Sequence, residues 1–175
     1  MTAPRDRRDG LTVDGAGYAP WLRRVAAFVV DGLPTVALAA LGFGLVWLTR
    51  IQACDGDPSA RDLGPQCGSG VSTVGQVCLL AAWAAMVGYG VWNFGLRQGT
   101  GGSSIGKSTL GLRVVSVATN EPIGFWRSVI RQLAHILDVM TLGLGYLWPL
   151  WDRKHQTFAD KLTLTVCVRA SPMTT

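Results

Sequence analysis

One stretch of the chain has residue types and spacing that suggest chemistry at once. Residues 101–108 read GGSSIGKS and match G-x-x-x-x-G-K-[ST], the pattern of the loop that cradles nucleotide phosphates. Such a loop needs a buried strand before it and a helix after it, because amides at the helix start must face the phosphates. Here an apolar run ending near Leu96 precedes the motif, and the β-branched residues within 110–118 favour a strand after it. We therefore expect no nucleotide to bind, and we expect Lys107 to face lipid phosphate instead.

Five ionisable residues in apolar surroundings are the other candidates for chemistry: Arg24, Asp31, Arg131, His135 and Asp138. Arg24 and Asp31 share one face of a helix, separated by roughly 10 Å along its axis. Arg131, His135 and Asp138 follow at spacings of four and three and also share a face. Because ionisable residues inside membrane helices usually mark functional sites, the sequence predicts an intramembrane charge cluster.

Two interpretations of this cluster stay open. In the first, Asp31 and Asp138 face each other across a polar cleft and form an ion or proton site, whose protonation the three basic residues set. In the second, the two aspartates pair with Arg131 and Arg24 only to hold helices together.

No catalytic residue, metal or cofactor is predicted. The serines of the 101–108 motif lack a His-Asp partner at motif spacing, and the four cysteines lack metal-ligand spacing. We therefore expect that the protein is not an enzyme.

The elements that must position these groups are apolar. Of the 175 residues, 49% are hydrophobic and only 15% are charged, against about 25% charged in an average soluble domain. Residues 25–48 contain one charged residue, Asp31, and residues 74–96 contain none. Each run exceeds the roughly 20 residues that a helix needs to cross a bilayer. We expect two transmembrane helices, the first of them too long for the apolar region of a secretory signal peptide.

Basic residues are distributed unevenly around these two runs. Many Arg and Lys lie in residues 1–24, which include the charged head at 1–20, and in the segment from residue 97 onward. Residues 49–73 contain only Arg50 and Arg61. By the positive-inside rule the amino terminus and residues 97–123 are cytoplasmic, and the loop 49–73 is external. The net charge of +5 then indicates anionic lipid at the cytoplasmic face of a bacterial plasma membrane as the partner, and no nucleic acid.

Two of the cysteines lie in the external loop. Cys54 and Cys67 have 12 residues between them, and outside the cytoplasm such a pair can form a disulfide that stabilises the loop. The alternative of two free thiols stays open.

Residues 124–161 are less apolar than the two runs. Eight strongly apolar residues within 133–151 are offset by Asp138, a histidine and a proline, so the free energy of insertion is near zero. A full crossing would also carry four basic residues to the external side. We expect two short helices, at about 124–141 and 146–161, that form a re-entrant or interfacial hairpin.

The last part of the chain reads as a strand. Residues 162–168 alternate apolar and polar side chains, which predicts a half-buried strand that pairs with residues 110–118. The expected fold class is therefore an all-α membrane protein with two transmembrane helices, the helical hairpin and a small cytoplasmic β pair.

Four separated motifs, spread over residues 21–168, resemble the RDD family of membrane proteins, whose name refers to one Arg and two Asp. They read RRVAAFVVD, GSSIGKSTLGLRVV, RSVIRQLAHILD and DRKHQTFADKLTLTVCV. The residues that the resemblance places on motif positions are Arg24, Asp31, Lys107, Asp138, Asp160 and Lys161. The chain departs from the family pattern at three positions: Ile105 replaces a usual Pro, Ala159 a common His and Leu164 a common Gly. Residues 1–20 and 169–175 flank the matched domain as a head and a tail.

The resemblance implies two functions of different classes. One is a non-catalytic accessory or assembly subunit of a membrane complex, which we favour. The other is cation/proton transport, which has been proposed for some members of the family. Two spans make a poor sealed pathway, so transport requires a homo-oligomer. The small-residue patterns that suit helix contacts are Ala40-x-x-x-Gly44, Ala81-x-x-x-Ala85 and Ala84-x-x-x-Gly88.

Overall fold

The computed structural model of the protein describes residues 17–55 and 66–170. The chain divides into two compact units, Met1–Asp31 with Gly90–Thr175 (unit 1) and Gly32–Tyr89 (unit 2). The elements, in chain order, are α1 (Trp21–Leu48), β1 (Ile51–Asp55), β2 (Gln66–Gly70), α2 (Thr73–Gly90), a π-helical segment (Val91–Arg97), α3 (Gln98–Gly101), α4 (Ile105–Thr109), β3 (Leu112–Ser116), α5 (Phe125–Met140), α6 (Leu144–Leu147), a 3₁₀ turn (Trp148–Leu150), α7 (Phe158–Leu162) and β4 (Thr165–Arg169).

Two helices are long and apolar enough to cross a membrane, which confirms that prediction. They are Trp21–Leu48, with a mean hydropathy of 1.9, and Thr73–Gly101, with a mean hydropathy of 1.6. Both spans begin before the expected runs. The second span also ends after its expected run, because it includes the π-helical segment and α3. A third candidate is the pair Phe125–Met140 and Leu144–Leu150, which is bent by 106°.

Unit 2 contains the larger part of α1, all of α2 except its last residue, and the hairpin between them. A Cβ placed on Gly42 would lie 2.7 Å from the Cβ of Ala82, so the two helices approach closely where both residues are small. Many exposed side chains of both helices in this unit are large and apolar, which suits contact with lipid.

The loop between the two candidate spans contains a hairpin that the sequence analysis did not predict. Strands β1 and β2 pair antiparallel, and their register places the Cα of Cys54 opposite that of Cys67. The side chains of both cysteines, and therefore the proposed disulfide, lie outside the part of the chain that the structure describes.

Unit 1 contains the small antiparallel sheet that the sequence predicted. Strand β3 pairs with β4 in the register Leu112↔Arg169 to Ser116↔Thr165. The chain just before α1 joins the sheet through a bridge between Tyr18 and Val168. Ala19 and Ala27 pack with side chains from the sheet into a buried apolar cluster, which anchors the first turns of α1.

Helix α5 turns its polar face inward. Ser128, Arg131, Ala134 and Asp138 are its buried residues, whereas large apolar side chains such as Leu133 are exposed. This arrangement is the reverse of a helix on a water-soluble protein and suits a helix whose outer face meets lipid.

The prediction of a second hairpin helix at 146–161 is wrong. Only α6 is α-helical before the chain turns through Pro149, and α7 begins at residue 158. Between them Oδ2 of Asp152 accepts hydrogen bonds from the amides of Lys154 and Gln156. These bonds hold a turn in place of a helix, because a side chain that accepts nearby amides competes with the helical ladder.

The observed strand also begins later than the one expected at 162–168. β4 starts at Thr165, because Leu164 has a left-handed backbone with φ of 54°. Leu162 and Leu164 are exposed, whereas Thr163 and Thr165 are buried, so the expected alternation fails before β4. Within β4, Val166 and Val168 are buried as expected, and Cys167 is buried with them.

Candidate functional site

Asp160 is held in place by the start of α7. Thr157 caps that helix: its hydroxyl accepts from the amide of Asp160 at 3.1 Å, and Oδ2 of Asp160 accepts from the amide of Thr157 at 3.2 Å. This reciprocal capping box fixes both the helix start and the direction of the carboxylate.

The carboxylate of Asp160 binds two arginines from distant parts of the chain. Oδ2 accepts from Nη2 of Arg24 at 2.6 Å, and Oδ1 accepts from Nε of Arg131 at 2.7 Å. The Asp160 side chain has no solvent exposure. Burial alone would raise the pKa of Asp160, but the charges of Arg131 and Arg24 outweigh burial and hold that pKa well below its usual range. We call these three residues the Asp160 cluster.

His155 belongs to the support of this cluster. The guanidinium of Arg24 also donates to the carbonyl of His155, and Nδ1 of His155 lies 2.7 Å from the carbonyl of Pro149. The ring and the carbonyl of His155 therefore both have protein partners.

Asp31 is the centre of a second group of hydrogen bonds, the Asp31 cluster. Its Oδ1 accepts from Nδ2 of Asn93 and from the amide of Gly106, both at 2.8 Å, and its Oδ2 accepts from the hydroxyl of Ser104 at 2.5 Å. Oδ1 of Asn93 in turn accepts from the amide of Ile105 at 2.9 Å. The loop that resembles a nucleotide motif thus binds a carboxylate of α1, with the loop's amide and hydroxyl as donors.

Local backbone features bring these groups together. Asn93 lies in the π-helical segment, a rare helical form that is frequent at functional sites. Gly106 lies so close to α1 that a Cβ there would collide with the carbonyl oxygen of Ala27. Only glycine lets the amide of residue 106 reach Asp31.

Lys107 is turned into the protein. Its Nζ donates to Oε1 of Gln98 at 2.8 Å and lies 3.4 Å from the hydroxyl of Ser104. Nε2 of Gln98 donates to the hydroxyl of Ser128, which donates to the carbonyl of Phe94. The expectation that Lys107 faces lipid phosphate is therefore wrong. Burial, reinforced by the charge of Arg131, lowers the pKa of Lys107 to about 8.

Asp138 has its own partners at the end of α5. Its Oδ2 lies 2.7 Å from Nδ1 of His135, and its Oδ1 accepts from the amide of Phe158 at 3.0 Å. A side chain at Gly145 would collide with this carboxylate, so α6 packs directly on it.

The structure therefore distributes the predicted charge cluster over three groups within unit 1. Both arginines bind Asp160, a family-motif residue that the sequence interpretation had left outside the cluster. Lys161, the neighbouring motif residue, forms a partly exposed ion pair with Asp152 at 2.7 Å.

Sequence reasoning missed three polar residues that complete these groups: Gln98, Ser104 and Ser128. All three are fully buried, as is Asn93. The asparagine inside an otherwise apolar run was a usable signal, whereas the two serines had none. In residues 17–55 and 66–170, no group of three or more His, Cys, Asp or Glu is placed to hold a metal ion.

Comparison with known proteins places the chain among membrane proteins of one family. The model of the RDD family matches residues 18–163. The chain is 47% identical over 160 residues to the proline-rich antigen homolog of Mycobacterium tuberculosis (strain CDC 1551 / Oshkosh), a match that covers 90% of this chain and 65% of the relative. It is 42% identical over 151 residues to the proline-rich antigen of Mycobacterium leprae (strain TN), covering 86% of this chain and 61% of the relative. The chain thus spans less than two thirds of the length of these relatives. No solved structure matches it.

Proposed function

The chain belongs to the RDD family of membrane proteins, and on that premise we propose that it is a non-catalytic accessory or assembly subunit of a membrane complex. Buried ion pairs and hydrogen bonds in unit 1 hold short helices and a small sheet against the ends of the spanning segments. Unit 1 is then a rigid structure on which other membrane subunits assemble.

The observation that carries this proposal is the way Asp160 is occupied. Both of its oxygens are engaged by guanidinium groups at 2.6 and 2.7 Å, and the amide of Thr157 and the hydroxyl of Thr165 also lie within hydrogen-bond distance. A transport carboxylate must exchange its partners for a moving ion. Breaking a buried ion pair typically costs about 3–5 kcal/mol. A carboxylate bound in this way therefore suits a fixed structural role better than the binding and release of a transported ion.

The apolar faces of unit 2 suit contacts with other subunits. At Gly44 and at Gly88 a Cβ would meet no heavy atom within 4 Å, so the two small-residue patterns that end at these glycines face outward. Small residues let helix backbones approach closely in lipid, where the hydrophobic effect does not drive association. The partner is either a second copy of this chain or another helical membrane protein.

The proposed setting is the plasma membrane of a bacterium, with the amino terminus in the cytoplasm. The support is the excess of Arg and Lys in the head and after residue 97, compared with the loop between the spans.

Assembly is tested by the size of the protein in lipid nanodiscs prepared from native membranes. We expect an oligomer or a larger complex for the natural chain, and its dissociation when Gly44 and Gly88 are both replaced by leucine. Gly32→Leu is the matched control, because Gly32 is equally open and lies about 120° around α1 from Gly44. A natural chain that is monomeric in every native preparation contradicts the proposal.

A second candidate function is cation/proton transport through a polar cleft that contains Asp31 and Asp138. It is favoured by the position of Asp31, which is 1% exposed inside an apolar helix and contacts Asn93 of a π-helical segment. A line of hydrogen-bonded polar groups leads from its neighbour Ser104 through Lys107 to Gln98.

Reconstituted vesicles distinguish the two functions. Transport predicts a cation-dependent change in internal pH that disappears in Asp31→Asn and in Asp138→Asn, while Asp152→Asn retains it. If an oligomeric preparation produces no flux, the transport function is excluded and the assembly function stands alone.

A further inference from the structure

Helix α5 exposes one continuous apolar stripe that none of the clusters above uses. Trp126, Ile130, Leu133, Leu137 and Met140 follow one another at spacings of four, three, four and three, which places them on one helical face. Each of the five is between 45% and 73% exposed. What this stripe contacts depends on how α5 is oriented relative to the membrane.

The start of α5 is linked to the end of the second candidate span. The amide of Gly124, just before α5, donates to the carbonyl of Gly99 at 2.9 Å. In the first turn of α5 the hydroxyl of Ser128 donates to the carbonyl of Phe94 at 2.6 Å. Both carbonyls belong to the last turns of the span Thr73–Gly101, so α5 begins where that span ends.

The other end of α5 is linked to the start of the first candidate span, α1. Asp138, in the last turn of α5, accepts from the amide of Phe158 at the start of α7, and Asp160 of α7 binds Arg24 in the first turn of α1. Trp21, the first residue of α1, donates to a carbonyl of α6, which follows α5. All of these contacts lie within unit 1.

Both ends of α5 therefore meet the same face of the membrane. When two consecutive spans each cross a membrane once, the second ends at the face where the first begins. A helix of 16 residues is about 24 Å long, and along the membrane normal one of its ends would lie that far from this face. Since contacts hold α5 at this face through both of its ends, the helix lies along the face.

We propose that α5 lies in the plane of the membrane and inserts its apolar stripe into the acyl-chain region of a single leaflet, so that the chain crosses the membrane twice. An amphipathic helix in this position buries its apolar face about 5–10 Å into the boundary between headgroups and acyl chains. The stripe lies at the level where both spans enter the bilayer, which makes lipid its partner. The bent pair Phe125–Met140 and Leu144–Leu150 is then not a third span.

Two further residues of α5 favour the in-plane orientation. Trp126, in the first turn, suits the boundary because tryptophan is enriched where membrane and water meet. Gln132 is exposed in the middle of the helix, where a crossing helix would present it to hydrocarbon. At the boundary its amide group reaches headgroups and water, so its exposure has little cost. The proposal concerns the isolated protein and does not depend on the assembly function.

The test measures the depth of spin labels by electron paramagnetic resonance, in vesicles of equal parts dioleoyl-phosphatidylglycerol and dioleoyl-phosphatidylcholine. Each label is attached through p-acetylphenylalanine, which leaves the natural cysteines unchanged, and separate full-length chains carry it at Trp126, Leu133 or Met140. Depth follows from the ratio of collisions with oxygen, which concentrates in the bilayer, to collisions with a water-soluble nickel chelate. We expect the three depths to differ by less than about 10 Å, whereas a helix along the membrane normal would separate the first and last label by about 21 Å.

The matched control uses α1, which crosses the membrane. Leu22 and Val36 are also 14 positions apart and are 72% and 66% exposed, and their labels should differ in depth by roughly 20 Å. A second pair on the stripe, Ile130 and Leu137, repeats the comparison should a label at an end of α5 disturb the helix, and its two depths should again agree.

Three results would overturn the proposal. A depth that changes by about 10 Å or more between the first and last label makes α5 a re-entrant or spanning helix. Labels that collide freely with the nickel chelate place the stripe in water. Labels that neither oxygen nor the chelate reaches assign the stripe to another subunit or a second copy of the chain, a result that leaves the assembly function standing.

Discussion

The two units of the chain fill their interiors with opposite chemistry, although α1 runs through both of them. In unit 2 the helices meet through small residues such as Gly42 and Ala82, and among the described residues Ser72 is its only buried polar side chain. In unit 1 the interior holds three carboxylates, two arginines and a lysine, joined by amide and hydroxyl side chains.

This difference shows how a protein obtains a specific fold in lipid. Apolar side chains contact lipid as readily as they contact one another, so they favour insertion but choose few partners. Hydrogen bonds and ion pairs have few acceptable geometries, and an unpaired charge in apolar surroundings is costly. We expect unit 1 to be the more uniquely structured part and also the part that single substitutions disrupt most.

The largest expected effect tests this contrast at Asp160. In Asp160→Asn, Arg24 and Arg131 lose their common counter-charge, which costs about 3–5 kcal/mol of unfolding free energy. Unfolding in mixed detergent micelles measures the loss, and hydrogen exchange should show that amides of unit 1 lose protection while residues 32–48 and 73–89 keep it.

The control for Asp160 is another aspartate in an ion pair. Asp152→Asn removes a partner of Lys161, whose side chain is 41% exposed, so the loss should be at most about 1 kcal/mol. Equal losses for the two variants would mean that burial does not distinguish the pairs.

The next effect compares two glycines, one from each unit. Gly106→Ala places a methyl group against the carbonyl of Ala27, and we expect a loss of about 1–3 kcal/mol from overpacking. Gly32→Ala has open space around the new methyl group, so helix propensity should make it neutral or slightly stabilising. The same unfolding measurement applies, and a destabilised Gly32→Ala would show that unit 2 is packed more tightly than its geometry indicates.

A smaller effect depends on pH. Lys107 has a folded-state pKa of about 8, whereas an unfolded lysine titrates near 10.4. Between these values the unfolded state binds more protons, so stability rises with pH. We expect the melting temperature of the natural chain to rise relative to Lys107→Gln between pH 8 and pH 10, and to run parallel to it between pH 6 and pH 8. A constant difference over the whole range would show that Lys107 titrates normally.

The smallest expected effect concerns backbone strain before β4. Leu164 has φ of 54°, a left-handed conformation that costs a non-glycine residue roughly 1–2 kcal/mol. Leu164→Gly should therefore stabilise the protein by about 0.5–1 kcal/mol after the entropy of glycine is subtracted. Leu162→Gly is the matched control, because Leu162 is equally exposed but ends a helix, and it should destabilise. Equal effects of the two substitutions would remove strain as the explanation.

The sequence predicted part of the candidate site and missed the rest for identifiable reasons. Spacing placed Arg131, His135 and Asp138 on one helix face, and that face is the buried one. Spacing cannot report the partner of Arg24, which lies 136 residues away at Asp160. A lysine after a glycine-rich stretch also gave no sign that it would point inward at Gln98.

The hairpin shows the same limit in the backbone. The composition of residues 124–161 correctly indicated a bent, marginally apolar region, which the structure bends by 106°. The second helix failed because two hydrogen bonds to Asp152 hold a turn, and such side-chain bonds are not visible in hydrophobic periodicity.

The amino-acid sequence by itself determined that two segments are long and apolar enough to cross a membrane and that charged groups accompany them, because insertion depends on summed composition over about 20 residues. Only the tertiary structure decided which acid meets which base, that Gly106 brings a loop amide to Asp31, and that Lys107 points inward. Those contacts depend on distances of about 3 Å between atoms that are far apart in the chain. The composition of a segment does not determine such distances.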